Sequence, residues 1–269
     1  MSPAARLSLM PVTISDARPI DVVDAAAAAG YDSYGLTLWG FSGGASATLG
    51  DPAALRALET RVRDAGLPVL TIEAVGLAAD FRLAPLEPLV DAAARLSCPY
   101  LNVCGDDPDE GRMTDNLAAL ATLAATRGVR IALEFISRLK LRSIGQARAM
   151  IERAGVSGIE LVVDSLHLYR SGGQAADLAG LAAAQVAYAQ LCDAPLLRPQ
   201  EPEYVMEGRT NRLYPGEGGL PLGEFLDALP PGRPLGVEVP NLASNRHAPT
   251  ERARLALDMT RRYLAARGA

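Results

Sequence analysis

Four apolar runs in the second half of the chain each end in a side chain that can ligate a cation. They read, in chain order, Ile131-Ala-Leu-Glu134, Leu161-Val-Val-Asp164, Tyr188-Ala-Gln190 and Leu235-Gly-Val-Glu238. Three carboxylates and an amide brought together repel one another unless a cation lies among them. An all-oxygen ligand set suits hard ions such as Mg²⁺ or Mn²⁺ better than a structural zinc ion. The pattern predicts a divalent-metal site; for any one of the four, a strand cap or a surface ion pair is the alternative.

Proton transfer needs a further group, and His167 is the first candidate. It follows Asp164 by three residues, just outside the predicted ligand set. The near-neutral pKa of histidine makes it a natural base for a proton next to a carbonyl. A histidine that faces solvent or packs in the core is the alternative. His247, in Asn245-Arg-His-Ala-Pro, is a second candidate, for contact with a substrate.

Two further positions are candidates for substrate binding. Glu73 ends the run Val69-Leu-Thr-Ile-Glu73, and we expect it either to hydrogen-bond a substrate hydroxyl or to pair with a neighbouring cation. Trp39 and Phe41 precede the glycine-rich Ser42-Gly-Gly-Ala. These two aromatic residues are interpreted either as an apolar wall of the pocket or as packing at the rim of the fold.

The longest irregular stretch, 193–219, is rich in Pro, Gly, Glu and Arg. A loop of that length in a compact domain is more often functional than not. It carries three arginines that can bind a carboxylate or phosphate through two parallel hydrogen bonds, Arg198, Arg209 and Arg212. A solvated surface position is the alternative for each of them. We favour Arg212 as the substrate-binding residue because it lies beside a Pro-Gly-Glu-Gly turn.

The elements that must position these residues alternate along the whole chain. Short strands are predicted at 7–13, 33–38, 69–74, 100–103, 130–135, 158–164, 186–192 and 235–239. Helices are predicted between them, at 20–29, 52–65, 86–96, 115–127 and 144–154. Such alternation implies parallel strands, in an open sheet or a closed barrel. Eight units favour a single (β/α)8 barrel domain over 1–269, whose active-site face is built from the C-terminal ends of the strands.

Composition narrows the classes of function. The net charge is −5, so nucleic acid is not an expected partner. No apolar run reaches the length of a membrane span, and neither GxGxxG nor GxxxxGK[ST] occurs. Cys98, Cys104 and Cys192 form no CxxC pair, which favours buried reduced thiols and a cytoplasmic protein. Two histidines are too few for a histidine-rich metal cluster.

The chain resembles the xylose-isomerase-like TIM-barrel superfamily, which contains sugar epimerases and isomerases, dehydratases and endonucleases. Asp164-Ser-Leu-His167 is similar to the Asp-x-x-His that ends its sixth strand, and Leu235-Gly-Val-Glu238-Val-Pro240 is similar to its final strand. The resemblance implies that Glu134, Asp164, Gln190 and Glu238 are the metal ligands. Sugar epimerases usually carry histidine where this chain has Gln190. That glutamine, with Arg212-Leu-Tyr-Pro-Gly-Glu217-Gly downstream, resembles the 3-dehydroshikimate dehydratase branch.

The expected activity is a metal-dependent lyase reaction on a small polyhydroxylated substrate. His167 would remove a proton next to a carbonyl, and a hydroxyl would then be lost as water. A ketose epimerase or isomerase is the alternative, with Glu134 and Glu238 as the bases on opposite faces, and a non-catalytic sugar-binding barrel is a third. Mg²⁺ or Mn²⁺ is the expected ion, with Co²⁺ and Zn²⁺ as alternatives. The sequence leaves open whether the chain forms a homo-oligomer.

Overall fold

The computed structural model describes residues 5–40, 44 and 46–268. Within these residues, eight parallel strands pair in chain order and the first pairs with the last, so that the sheet closes into a barrel. The strands are β1 (Leu7–Leu9), β2 (Ser33–Thr37), β3 (Val69–Leu77), β4 (Tyr100–Gly105), β5 (Arg130–Glu134), β6 (Ile159–Asp164), β7 (Val186–Leu191) and β8 (Leu235–Val237). The predicted (β/α)8 barrel is confirmed.

Helices connect the strands across the outside of the barrel. They are α1 (Pro19–Ala29), α2 (Ala47–Gly50), α3 (Pro52–Ala65), α4 (Glu87–Arg95), α5 (Glu110–Ala125), α6 (Ile144–Ala154), α7 (Ser165–Arg170), α8 (Glu203–Thr210), α9 (Leu222–Ala228) and α10 (Pro249–Ala266). The Asp51 carboxylate caps the start of α3 by accepting from the backbone N–H of Ala53. Gly66 ends that helix with φ +67°, a left-handed conformation that favours glycine. Along the described part of the chain, no helix combines the length and apolarity needed to cross a membrane.

A buried layer fills the barrel below the predicted ligands. Side chains two residues apart in a strand point to the same face, so the residue two positions before each strand-end ligand lies on its face. Ala132 precedes Glu134 in this way, Val162 precedes Asp164 and Tyr188 precedes Gln190. These three side chains belong to one cluster with Met10, Leu70, Tyr100 and Ala187. The ligands therefore rest on a packed floor rather than over an open pore.

The sequence predictions of several elements are wrong in extent. The first strand ends at Leu9 rather than at 13, because Pro11 begins a short 3-10 helix, Pro11–Ile14. The third strand does not close at Glu73 but continues to Leu77. The stretch 193–219 is not irregular throughout, since it contains α8. The three cysteines are free and buried, which agrees with the predicted thiols.

A buried ion pair fastens α8 to the barrel. The Arg170 guanidinium donates from Nε and Nη2 to the two carboxylate oxygens of Glu207, both at 2.7 Å, and from Nη2 to the backbone oxygen of Pro195 at 2.6 Å. Both side chains are almost fully buried. The loop after β7 and its helix are thereby held over the C-terminal end of the barrel, the end at which β5 to β8 present the predicted ligands.

The first testable prediction concerns this pair. Glu207→Gln leaves the Arg170 charge buried without a carboxylate, which is expected to lower the free energy of unfolding by about 3–5 kcal/mol. Urea denaturation followed by circular dichroism measures it. Glu110→Gln is the matched control, because Glu110 pairs with Arg153 on the surface and such pairs contribute at most about 1 kcal/mol. Equal small losses in both variants would show that the Arg170 pair does not hold the loop.

Candidate active site and metal centre

The four predicted ligands lie at one end of the barrel. Glu134 and Asp164 are the last residues of β5 and β6, Gln190 is the penultimate residue of β7, and Glu238 directly follows β8. All four side chains are buried, with Asp164 and Gln190 fully inaccessible. The register pairs Asp164 with Gln190 across the two strands. A shared metal site requires that Gln190 and Glu238 point into the barrel mouth. Neither side chain points out of it.

Hydrogen bonds connect these side chains to one another and to Glu73. The Gln190 amide donates from Nε2 to Glu238 Oε1 at 3.0 Å and to Glu73 Oε1 at 3.4 Å. Glu134, Asp164 and His167 each place a ligand atom within 4.8 Å of those of the other two. The group of acidic residues therefore includes Glu73 as well as the three predicted carboxylate ligands.

The charges of this group are poorly compensated. Burial raises the pKa of Glu73 and Glu238 well above the usual range, and nearby carboxylates raise both further. Burial, followed by the charge of Asp164, raises the pKa of Glu134 to about 7. For Asp164, burial is again the largest effect and works in the same direction, but the Arg212 guanidinium and the other neighbours, among them the backbone N–H of His167, together outweigh it and lower the pKa. Packed carboxylates with raised pKa values are the surroundings in which a bound cation is stabilised.

The donor set fits a divalent metal ion. The Oε1 atom of Gln190 is buried and has no hydrogen-bond partner within the described residues, although buried amide oxygens are normally bonded. Its Nε2 atom is already directed at two carboxylates, which leaves the oxygen as the free ligand atom. An ion beside this oxygen would satisfy it and would neutralise the surrounding carboxylates. The chain's own oxygen atoms thus match the preferences of Mg²⁺ and Mn²⁺.

Arg212 lies inside the site rather than at its rim. Its Nη1 atom donates to Asp164 Oδ2 at 2.6 Å and to Glu238 Oε2 at 2.8 Å. Its Nε atom donates to the backbone oxygen of Gly208 at 3.1 Å, and the whole side chain is buried. The residue expected to bind a substrate carboxylate is therefore engaged with two predicted metal ligands. Substrate binding by Arg212 stays a prediction, because its second terminal nitrogen, Nη2, lies 3.5 Å from His167 Nε2.

A buried aspartate fixes the backbone that follows Arg212. Asp193 exchanges two backbone hydrogen bonds of 2.8 Å with Leu213. Its carboxylate also accepts backbone N–H groups of the turn that follows, from Gly216 and Gly218 at 3.0 Å each and from Leu220 at 3.1 Å. One side chain thus orders the Pro-Gly-Glu-Gly turn and positions Arg212 next to Asp164.

His167 lies in α7 and faces the same group. Its backbone N–H donates to Asp164 Oδ1 at 2.9 Å, and its Nε2 atom is 3.9 Å from Glu134 Oε1. On the other side of the ring, Nδ1 is 3.2 Å from the Ser137 hydroxyl, which accepts from Tyr204 at 2.8 Å. Burial lowers the pKa of His167 to about 3, so the imidazole is neutral. Its position near Glu134 and Asp164 makes it either a base or a further ligand.

The sequence analysis missed several neighbours of these residues. Asn102 in β4 donates from Nδ2 to Glu134 Oε2 at 2.9 Å and so orients that carboxylate. The signal for it was present, since an asparagine interrupts an apolar strand. Two further neighbours lie far apart in the chain and carry no spacing signal: Ser137, in the loop after β5, contacts His167, and Tyr204, in α8, donates to Ser137. Arg138 was also missed and lies beside Ser137.

The remaining substrate-binding candidates are placed differently. Glu73 is buried in the acidic group. Trp39 is buried and lines a cavity of about 320 Å³ with Val75, Phe81 and Arg82. None of the residues that line this cavity belongs to the acidic group, so contact of Trp39 with a substrate stays a prediction. Phe41 lies outside the described residues, as do its neighbours 42, 43 and 45. His247 is half-buried at the surface, where its ring contacts Arg246 and Glu251, and no described hydrogen bond joins it to the acidic group.

Comparisons with known proteins agree with this architecture. Over 127 residues the chain is 33% identical to a 3-dehydroshikimate dehydratase of Pseudomonas aeruginosa, an alignment that covers 46% of the chain and only 20% of that relative. A crystal structure of the IolI protein with a bound zinc atom has a TM-score of 0.78 at 16% identity, with 97% of each chain covered. A D-psicose 3-epimerase from Clostridium cellulolyticum H10 has a TM-score of 0.72 at 13% identity, covering 96% of this chain and 99% of that one.

These two structural likenesses show the fold alone. The family is shown by a sequence model, which matches nearly the whole chain, as the resemblance of Asp164-Ser-Leu-His167 and of the final strand implied. That model describes the xylose isomerase-like TIM barrel and matches residues 23–263. The chain belongs to the xylose isomerase-like TIM-barrel family.

Proposed function

We propose that the chain is a divalent-metal-dependent dehydratase, a lyase that removes water from a hydroxylated keto acid such as 3-dehydroshikimate. The observation that carries the proposal is the unpartnered Gln190 oxygen among buried carboxylates. A glutamine at this strand end is the feature that separated the dehydratase branch from the epimerases in the sequence. The partial alignment with a 3-dehydroshikimate dehydratase supports the same choice.

Glu134, Asp164, Gln190 and Glu238 would hold the ion. When bound there, a divalent ion supplies a Lewis acid that polarises the substrate carbonyl and acidifies the neighbouring C–H bond. The oxygen ligands favour Mg²⁺ or Mn²⁺, and the zinc atom bound by the IolI protein keeps Zn²⁺ as an alternative. Asn102 fixes the orientation of the Glu134 carboxylate through its amide hydrogen bond.

His167 is proposed as the base that removes this proton. Its neutral ring can present the lone pair of Nε2, which lies 3.5 Å from Arg212 Nη2, while Nδ1 contacts the Ser137 hydroxyl. The departing hydroxyl takes up a proton and leaves as water, and enolisation then completes an aromatic ring. The imidazolium that His167 becomes in the first step holds the proton that the departing hydroxyl needs. The atoms balance, because the product is the substrate less one water.

The experiment that tests this function is an incubation of the Mg²⁺- or Mn²⁺-loaded chain with 3-dehydroshikimate. The expected result is growth of the catechol absorbance of 3,4-dihydroxybenzoate, and its loss when the ion is removed with a chelator. The epimerase alternative predicts a flat trace together with entry of solvent deuterium into a ketohexose or ketopentose. That pair of results would reject the dehydratase. A chain that catalyses neither reaction would favour the sugar-binding barrel.

A further inference from the structure

An arginine without a hydrogen-bond partner among the described residues directly follows Ser137, whose hydroxyl contacts His167. Arg138 follows Glu134 by four residues, in the loop between β5 and α6. Backbone hydrogen bonds hold this loop, from Leu139 to Ile136 at 2.8 Å, from Ile136 to Leu141 at 2.9 Å and from Leu141 to Gly105 at 3.0 Å. Ile136 and Leu139 are buried. The backbone that carries Arg138 is thus fixed by its own contacts.

The Arg138 side chain is half-buried and lacks a counter-ion. Its Nε atom is buried with no hydrogen-bond partner, and no ion pair of Arg138 occurs among the residues that the structure describes. Arg170 and Arg212, by contrast, are buried against carboxylates. Burial lowers the pKa of Arg138, and the charge of Arg209 lowers it further. An uncompensated, partly desolvated cation is costly unless an anion binds to it.

The ring of His167 lies between the segments that carry Arg138 and Arg209. Ser137, which immediately precedes Arg138, contacts His167 Nδ1 at 3.2 Å. Gly208, which immediately precedes Arg209, lies so close that a β-carbon on it would be 3.9 Å from His167 Cε1. An arginine therefore follows each of these two neighbours of His167, Arg138 in the loop after β5 and the exposed Arg209 in α8. The third loop arginine, Arg198, stacks on the Tyr204 ring at 3.8 Å.

We propose that Arg138, assisted by Arg209, forms the subsite that binds the carboxylate of an acid substrate next to His167. The inference deepens the proposed function, on which it rests, by assigning the anionic end of the substrate. It also replaces Arg212 as the first choice for this role, because Arg212 Nη1 is engaged with Asp164 and Glu238. A guanidinium at this position would bind the substrate carboxylate and so place the substrate's own ring over the acidic group.

The test is calorimetric titration of the Mg²⁺-loaded chain with 3,4-dihydroxybenzoate and, separately, with inorganic phosphate. Arg138→Met is expected to weaken dihydroxybenzoate binding about 10- to 100-fold, the range for loss of a charge-assisted hydrogen bond. Arg138→Lys keeps the positive charge but loses the two parallel N–H donors of the guanidinium. Its affinity for dihydroxybenzoate should lie between those of the wild type and Arg138→Met. Arg142→Met is the matched control, because Arg142 lies in the same loop and is exposed. It should bind like the wild type.

Each outcome supports or overturns the carboxylate subsite. Equal affinity in Arg138→Met and wild type, absence of binding in the wild type, or an Arg138-dependent response to phosphate alone would overturn it. Binding does not depend on turnover, so the two proposals can fail separately. Arg138-dependent binding without catechol formation would reject the dehydratase and keep the subsite. Catechol formation with an unchanged KM in Arg138→Met would reject the subsite and keep the dehydratase, since loss of substrate binding must raise KM.

Discussion

His167→Asn is expected to lower kcat for the dehydration by about 10²–10⁴-fold, the usual cost of losing a positioned base, while the bound ion is retained. The imidazole Nε2 faces Glu134 at 3.9 Å, and Nδ1 is in contact with Ser137. Asparagine keeps a polar side chain but cannot take up the proton. The measurement is kcat with 3-dehydroshikimate, made beside elemental analysis of the bound metal.

The control for this experiment is His247→Asn. His247 contacts Arg246 and Glu251 at the surface, so the variant should keep the wild-type kcat and metal content. Full activity in His167→Asn would exclude histidine from the mechanism. Loss of the metal from His167→Asn would instead make His167 a ligand, as its proximity to Glu134 and Asp164 allows, and Glu134 would then be the base to test.

Glu238→Gln is expected to weaken binding of the divalent ion by at least the 10- to 100-fold that loss of an outer partner of a metal ligand typically costs. Glu238 accepts from Gln190 through Oε1 and from Arg212 through Oε2. Its two oxygens therefore contact both a predicted metal ligand and the buried guanidinium. Glutamine preserves the size of the side chain but removes its charge. Activity should fall with occupancy, because the substrate carbonyl is then no longer polarised.

The barrel could be predicted from the sequence because its signal is repeated. Apolar runs alternating with helical patterns specify parallel strands, and eight such units specify closure. Errors occurred where a local feature overrode the pattern. The apolar pattern extends the first strand to residue 13, yet Pro11 begins a 3-10 helix. The helix α8 was hidden in a stretch whose proline and glycine content suggested irregular backbone.

The convergence of the four predicted ligands could be predicted for a geometric reason. Residues at the C-terminal ends of neighbouring parallel strands must meet at one end of the barrel, so Glu134, Asp164, Gln190 and Glu238 needed no information on loops. Contacts made by loop residues followed no such rule. The pairing of Arg212 with Asp164 spans 48 residues, and the unpaired state of Arg138 depends on which side chains surround it. Residue spacing predicts neither the Arg212–Asp164 pair nor the unpaired state of Arg138.

Titration of the chain with Mn²⁺, followed by the loss of the free-ion paramagnetic resonance signal, tests most directly whether these four side chains hold one ion. We predict one saturable site per chain in the wild type and in Glu152→Gln, a control at an exposed helical position. Glu238→Gln should bind at least about 10-fold more weakly. Equal Mn²⁺ affinity in Glu238→Gln and wild type, or no saturable binding by the wild type, would contradict the metal centre.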